Sequence, residues 1–136
     1  MLFVCNSNCA RSKIAEGFGT SSASLIVAAS AGLTPGDAVN PRASAALSKH
    51  GVSHTLPPPK SLLDPDLAAC PYDYIVFLCD CCSGAALNSA TSLLREGGTI
   101  LSWGVDPPSR KEGGFDEAAK QIKTEMIKVG WLTHTV

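Results

Sequence analysis

Two stretches of the chain hold residues whose types and spacing can do chemistry. The first is Cys5-Asn6-Ser7-Asn8-Cys9-Ala10-Arg11-Ser12. A cysteine and an arginine six positions apart, with small and polar residues between, have the make-up of an anion loop. Backbone N–H groups from Asn6, Ser7, Asn8, Cys9, Ala10, Arg11 and Ser12 can converge on a tetrahedral oxyanion. A helix starting at the end of the loop adds partial positive charge. The planar fork of Arg11 matches two oxygens of a phosphate-like group. The same surroundings favour the Cys5 thiolate, which is the nucleophilic form. Ser12 is placed to give its hydroxyl hydrogen to that sulfur, and Asn8 to bridge segments of the loop. The bland alternative is a structural cysteine with a surface arginine, because the C-x5-R spacing is short.

The second stretch is Cys79-Asp80-Cys81-Cys82. With Cys5, Cys9 and Cys70 it brings the cysteine count to six. In a small secreted chain six cysteines suggest a disulfide framework. Here Met1 opens straight into Leu2-Phe3-Val4 with no basic leader, so no signal peptide is expected and a reducing, cytoplasmic setting is. Redox, nucleophilic or metal roles then outrank static bridges. Three thiols in four residues can bind a soft metal such as zinc or Cu(I). Against that stand the lack of a second cluster and the scattering of His50, His54 and His134. Cys70 before Pro71 reads as structural, and Cys9 as a spectator.

These residues need elements to hold them. Residues 1–5 read as a short buried strand, so Cys5 stands at its carboxyl end, and 12–18 read as a helix. In open α/β sheets that crevice is where ligands bind. Residues 24–30 read as a second buried strand that ends at Ala31-Gly32. Asn40-Pro41 is a helix start, with Asn as N-cap and Pro at the first position, and Gly51 a natural stop. Pro57-Pro58-Pro59 is a stiff connector. Ser61 is a cap for a short helix through Leu62, Leu63 and Leu67. Residues 74–78 are the strongest strand and lead into Cys79. Residues 99–103 read as a fourth strand after a Gly97-Gly98 turn, and 83–96 are ambiguous between loop and helix. Phe115, Ala119, Ile122, Met126 and Val129 recur at helical spacing and predict a closing amphipathic helix. Buried strands alternating with helices imply a parallel sheet covered on both faces. The expectation is an α/β fold with three α/β/α layers around a four-stranded parallel sheet, as a single domain over residues 1–136.

Composition narrows the function classes. The formal net charge of −1 gives no basic field for nucleic acid. No apolar run is long enough to cross a membrane.

Cys5 to Gly17, C-N-S-N-C-A-R-S-K-I-A-E-G, resembles the opening motif of the low-molecular-weight tyrosine phosphatase superfamily, and looks most like the arsenate reductases on that fold. The resemblance continues through Ser30-Ala31-Gly32, Val39-Asn40-Pro41-Arg42-Ala43, Phe77-Leu78-Cys79-Asp80 and Trp103-Gly104-Val105-Asp106-Pro107. It implies Cys5 as nucleophile, Arg11 as oxyanion clamp, and a partly buried Asp106 as the general acid that protonates the leaving oxygen. Cys79 follows a strand where the reductases carry their second redox cysteine. Cys81 or Cys82 would be the third, with Cys81 slightly preferred. The implied reaction is arsenate to arsenite, with phosphate as a competing anion. An external thiol system, glutathione with glutaredoxin or thioredoxin, would regenerate the enzyme. The short Cys79 to Cys81 spacing resembles the glutathione-coupled group. Lys13 and Pro108 stand where the phosphatases usually have a proline and an aromatic, which leaves phosphotyrosine hydrolysis as the alternative. Ser7 stands where the family often has glycine, and a positive φ there would cost on the order of 1 kcal/mol. Some members bind potassium beside the loop. Asn8, Glu16 and Ser30 match that pattern, but Lys60 replaces an acidic ligand, so neither a metal nor another cofactor is expected.

Overall fold

A computed structural model describes residues 1–53, 55–69, 71–79, 84–108 and 113–133. The elements run β1 (Leu2–Cys5), α1 (Arg11–Gly19), β2 (Ala29–Gly32), α2 (Pro41–Lys49), a 3₁₀ turn (Pro65–Ala69), β3 (Tyr72–Phe77), α3 (Gly84–Thr91), β4 (Leu94–Ser102) and α4 (Gly114–Lys128). The strands form one sheet in the order β2-β1-β3-β4, and every pairing is parallel. Parallel neighbours need crossover connections, and here helices supply them.

Alternation along β1 and β3 separates two cores. Phe3, Cys5, Val76 and Leu78 face α1, α2 and α4, where Ile14, Phe18, Leu47, Ile122 and Met126 cover them. Leu2, Val4, Ile75 and Phe77 face the other side, against Ala90 of α3 and Leu62 and Leu67 of the connector. The architecture is therefore the expected three-layer α/β/α sandwich on a four-stranded parallel sheet. β1 is buried at every position because it is central and covered on both faces. Phe3, Tyr74, Trp103 and Trp131 pack ring against ring at centroid distances of 5.2 to 6.2 Å and pin the end of the chain to the sheet.

Several local expectations hold at residue level. Asn40 caps α2, its Oδ1 accepting the Arg42 N–H at 2.9 Å, with Pro41 at the first turn. Gly51 beyond the helix has φ +81°. Of the predicted stripe α4 buries Ala119, Ile122 and Met126, with Ala118 besides; Phe115 is half-buried, and Val129 lies beyond the helix end and is exposed.

Others are corrected. β2 is only Ala29–Gly32; in the apolar stretch before it Ile26 and Ala28 pack against the core while Leu25 and Val27 point away and are exposed. β4 begins at Leu94, so Gly97-Gly98 is no turn between elements. It lies inside the strand, where the register with β3 shifts between Tyr72 and Tyr74 and Gly97 takes φ +81°. β4 runs from Leu94 to Thr99 while β3 runs from Tyr72 to Tyr74, so β4 carries the extra residues of the irregularity at its glycines. Ser61 does not start a helix; its Oγ accepts the Leu63 N–H in a local turn, and the 3₁₀ turn starts at Pro65. The ambiguous stretch after residue 83 contains α3.

Candidate active site

Residues 6–10 join β1 to α1 across the carboxyl rim of the sheet. The neighbouring segment after β2 takes up the carbonyls of this loop. Leu33 N donates to Cys5 O, Thr34 N to Asn6 O, Gly36 N to Ser7 O, and Asn40 N to Cys9 O, at 2.8 to 3.2 Å. With the carbonyls held outward, the peptide planes turn their N–H groups the other way. Among the described residues, the N–H groups of Ser7 to Ala10 donate to no protein acceptor. This is the geometry of an anion nest at a helix N-terminus. Gly32 permits the close approach: a Cβ there would lie 2.8 Å from Asn8 N and 2.9 Å from Ser7 C.

The loop residue in the left-handed region is Asn8, at φ 56°, and not Ser7. Asparagine tolerates that conformation better than most residues. Asn8 is fully buried, and its side chain is oriented without ambiguity. The Lys60 N–H donates to Asn8 Oδ1 at 2.9 Å, which leaves Nδ2 to donate to Ser12 Oγ at 2.7 Å. Ser12 Oγ in turn lies 2.9 Å from Cys5 Sγ. Because Ser12 Oγ already accepts from an amide, its own hydrogen is free to point at the sulfur. A chain of donors therefore runs from the Lys60 backbone through Asn8 and Ser12 to the Cys5 sulfur.

Cys5 opens into a cleft of about 150 Å³ lined by Ser7, Cys9, Ala10 and Arg11 on the loop side and by Asn40, Pro107, Pro108 and Phe115 opposite. Arg11 Nη1 donates to Val105 O at 2.9 Å and to Leu78 O at 3.3 Å, which ties the guanidinium to the ends of β3 and β4. Cys9 is free, and its Sγ donates to Ser7 O at 3.3 Å. Asn6 is exposed, while Asn8 and Ser12 lie behind the loop and support it.

Asp106 departs from expectation. It is exposed, not partly buried, and lines a separate hollow of about 30 Å³ with Glu117 and Gln121. Only Pro107 and Pro108 separate the two cavities, since both residues line each. The Pro-Pro run faces the loop, and this turns the preceding carboxylate outward.

Leu78 N donates to Val4 O at 2.8 Å, so Leu78 stands beside Cys5 on the rim and Cys79 is the next residue along. Cys79 is buried and disulfide-bonded, and its partner is neither Cys5 nor Cys9, which are free. Cys81 and Cys82, the two candidates for a third thiol, lie outside the described residues, as does Cys70. Among the described residues, no group of three His, Cys, Asp or Glu side chains could hold a metal ion.

The residue that sequence reading missed is Lys13. Its side chain is fully buried, with Nζ 3.1 Å from Glu16 Oε1 and 3.3 Å from Pro58 O. Ser30 Oγ donates to the same Glu16 oxygen at 2.5 Å. Desolvation holds the Lys13 pKa below its ordinary value, opposed by Glu16 and assisted by the like charge of Lys60. Of the residues that the resemblance matched to a potassium site, Glu16 holds the Lys13 ammonium directly and Ser30 binds the same Glu16 oxygen. A lysine directly after the Arg-Ser pair, on the inward side of the first turn of α1, was the available signal.

The family model described as low molecular weight phosphotyrosine protein phosphatase matches residues 1–129. No curated protein matches the sequence. An arsenate reductase from Archaeoglobus fulgidus DSM 4304 is similar in structure, at 25% identity and TM-score 0.68, over 94% of this chain and 96% of that one. An arsenate reductase solved in its phosphate-binding state shares 27% identity, with TM-score 0.71, over 94% of this chain and 93% of the other. A low molecular weight phosphotyrosine phosphatase from Vibrio cholerae O395 shares the fold at 20% identity, with TM-score 0.70, over 94% and 92% of the two chains. Among the described residues, no helix is long and apolar enough to cross a membrane.

Proposed function

The chain belongs to the low molecular weight phosphotyrosine protein phosphatase family, and on that premise we propose that it is an arsenate reductase that works through a thiol relay. The observation that carries this reading is the state of two cysteines on one rim. Cys5 is a free thiol in the anion loop, while Cys79, the residue after its strand neighbour, is in a disulfide with neither Cys5 nor Cys9. A disulfide-bonded cysteine beside a free thiol in the anion loop supports a thiol-disulfide role for Cys79.

The steps balance as follows. The loop N–H groups and Arg11 hold arsenate, and the Cys5 thiolate attacks arsenic to form an S–As bond. One oxygen leaves as water after taking a proton; Asp106 is the proposed acid, and because it lies behind Pro107 and Pro108 here, that segment must turn its carboxyl into the cleft for the step. The Cys79 thiolate then attacks Cys5 Sγ. A disulfide forms, the S–As bond breaks, and its electron pair stays on arsenic, which departs as arsenite. Cys81 or Cys82 next attacks Cys79 Sγ and releases Cys5 as a thiolate. An external dithiol or glutathione system reduces the final disulfide and closes the cycle.

The geometry of the rim supports the second step. Adjacent parallel strands lie about 4.8 Å apart with a rise of about 3.3 Å per residue, within the roughly 4.4–6.8 Å between Cα atoms that a disulfide spans. Cys5 and Leu78 face the same core, so alternation starts Cys79 toward the opposite face. The backbone at Cys79 must therefore turn for its sulfur to reach Cys5.

A second reading is favoured by Phe115, whose ring lines the cleft beside Cys5 and gives an aryl phosphate something to pack against. In that case water, not Cys79, resolves the adduct, and the protein is a phosphatase. Cys79→Ser separates the two. Loss of multiple-turnover arsenite formation supports the relay. Arsenate turnover at the wild-type rate, together with steady aryl phosphate hydrolysis, refutes it in favour of the phosphatase.

A further inference from the structure

Lys13 has no role in the steps above, and its setting is poor for stability alone. It is a charged side chain with no solvent exposure, one helical turn from its carboxylate partner Glu16, at the base of the anion loop. A buried ion pair of this kind gains little over well-packed apolar residues of the same volume. The charged or titratable groups that face it are Glu16 on its own helix, Lys60 on the connector and Cys5 at the end of β1.

Two sets of bonds meet at this ammonium. On one side it neutralises Glu16, which Ser30 of β2 also binds. On the other it donates to Pro58 O, two residues before the Lys60 N–H that orients Asn8. The connector is further pinned by Gly32 N, which donates to Lys60 O at 2.8 Å. Without the Pro58 contact, the backbone donor that sets the direction of the Asn8–Ser12–Cys5 chain loses one of its supports. Without the ammonium, the Glu16 carboxylate faces the loop unbalanced and opposes a thiolate at Cys5.

We propose that Lys13 is a positioning residue for the nucleophile. Its ammonium is a built-in counter-cation that balances Glu16 beneath the loop and anchors the connector whose Lys60 N–H directs hydrogen bonding toward the Cys5 sulfur. The proposal rests on Cys5 being the reactive thiol, which the reductase and phosphatase readings share. It does not depend on which of them is right.

The test reads the Cys5 thiolate directly. The full chain, reduced, is alkylated with iodoacetamide over a range of pH, and the modified Cys5 peptide is quantified by mass spectrometry. Lys13→Met should move the midpoint of Cys5 alkylation up by about one pH unit, which is about tenfold less reaction at a fixed pH below the midpoint. Glu16→Gln keeps an oxygen for Ser30 but removes the negative charge, and should move the midpoint the other way. The double variant should recover about half or more of the Lys13→Met shift, because both charges are gone while the Pro58 contact is not restored. Structural damage gives no such pattern of opposite signs and mutual rescue. Near-ultraviolet circular dichroism of Trp103 and Trp131 checks folding. If Lys13→Met does not fold, Glu16→Gln and the double variant still decide. Shifts of the same sign, or a double variant shifted as far as Lys13→Met, overturn the proposal, as does a Glu16→Gln midpoint unchanged from wild type. Wild-type Cys5 that alkylates like a free peptide thiol would instead refute the nucleophile reading. Full arsenate turnover in Cys79→Ser would refute only the relay.

Discussion

Asn8 carries two separable burdens, and replacing it tests the loop quantitatively. Its side chain makes two buried hydrogen bonds, one from Lys60 N and one to Ser12 Oγ. Its backbone sits at φ 56°. Each hydrogen bond contributes about 1 kcal/mol net, so Asn8→Gly should lose about 2 kcal/mol of folding stability while accommodating the backbone. Asn8→Ala loses the same bonds and adds a Cβ in the left-handed region, for a further 1 kcal/mol or so. The expected order is wild type above Gly above Ala, with losses of about 2 and about 3 kcal/mol. Equilibrium urea unfolding followed by tryptophan fluorescence measures it, through the shift in midpoint at constant slope. Both variants should also slow Cys5 alkylation, because Ser12 loses the donor that orients its hydroxyl. Equal stability of the two variants would refute the backbone assignment. A loss below about 1 kcal/mol in both would refute the claim that these bonds hold the loop.

Other outcomes follow from the same geometry. Ser12→Ala removes the hydrogen bond to the sulfur, and iodoacetamide should then alkylate Cys5 about tenfold more slowly at neutral pH, the equivalent of about 1.4 kcal/mol. Arg11→Lys keeps a charge but loses the planar fork, and arsenate or phosphate affinity measured by calorimetry should fall by about 10- to 100-fold. Asp116 is held below its ordinary value of 3.8, first by the hydrogen bond from Lys120 and then by that from His50. A carboxylate whose folded pKa is depressed adds stability that is fully present above the unfolded value and is lost as pH falls through the folded one. Asp116→Asn should therefore flatten the acid limb of a melting-temperature profile and leave its alkaline limb alone, and an unchanged acid limb would refute the assignment.

Local chemistry was written in the sequence. Asn40-Pro41 starts a helix because a side-chain acceptor and a fixed φ act within the first turn, with no help from the fold. The stripe of α4 is legible because its period reports one buried face. The loop from Cys5 to Arg11 is legible because an anion nest needs residues close in sequence. What sequence could not supply depended on partners far along the chain. The apolar stretch before β2 buries only one side, Ile26 and Ala28, and leaves Leu25 and Val27 exposed, beside the edge strand of the sheet. Asp106 faces outward because Pro107 and Pro108 take the wall of the cleft. Asn8 takes its orientation from Lys60, 52 residues away, and Lys13 is buried by its contact with Pro58, 45 residues away. Burial of a polar group is stable only where the whole fold supplies its partners, so the sequence by itself marked out the loop from Cys5 to Arg11, and the tertiary structure decided what surrounds and charges it.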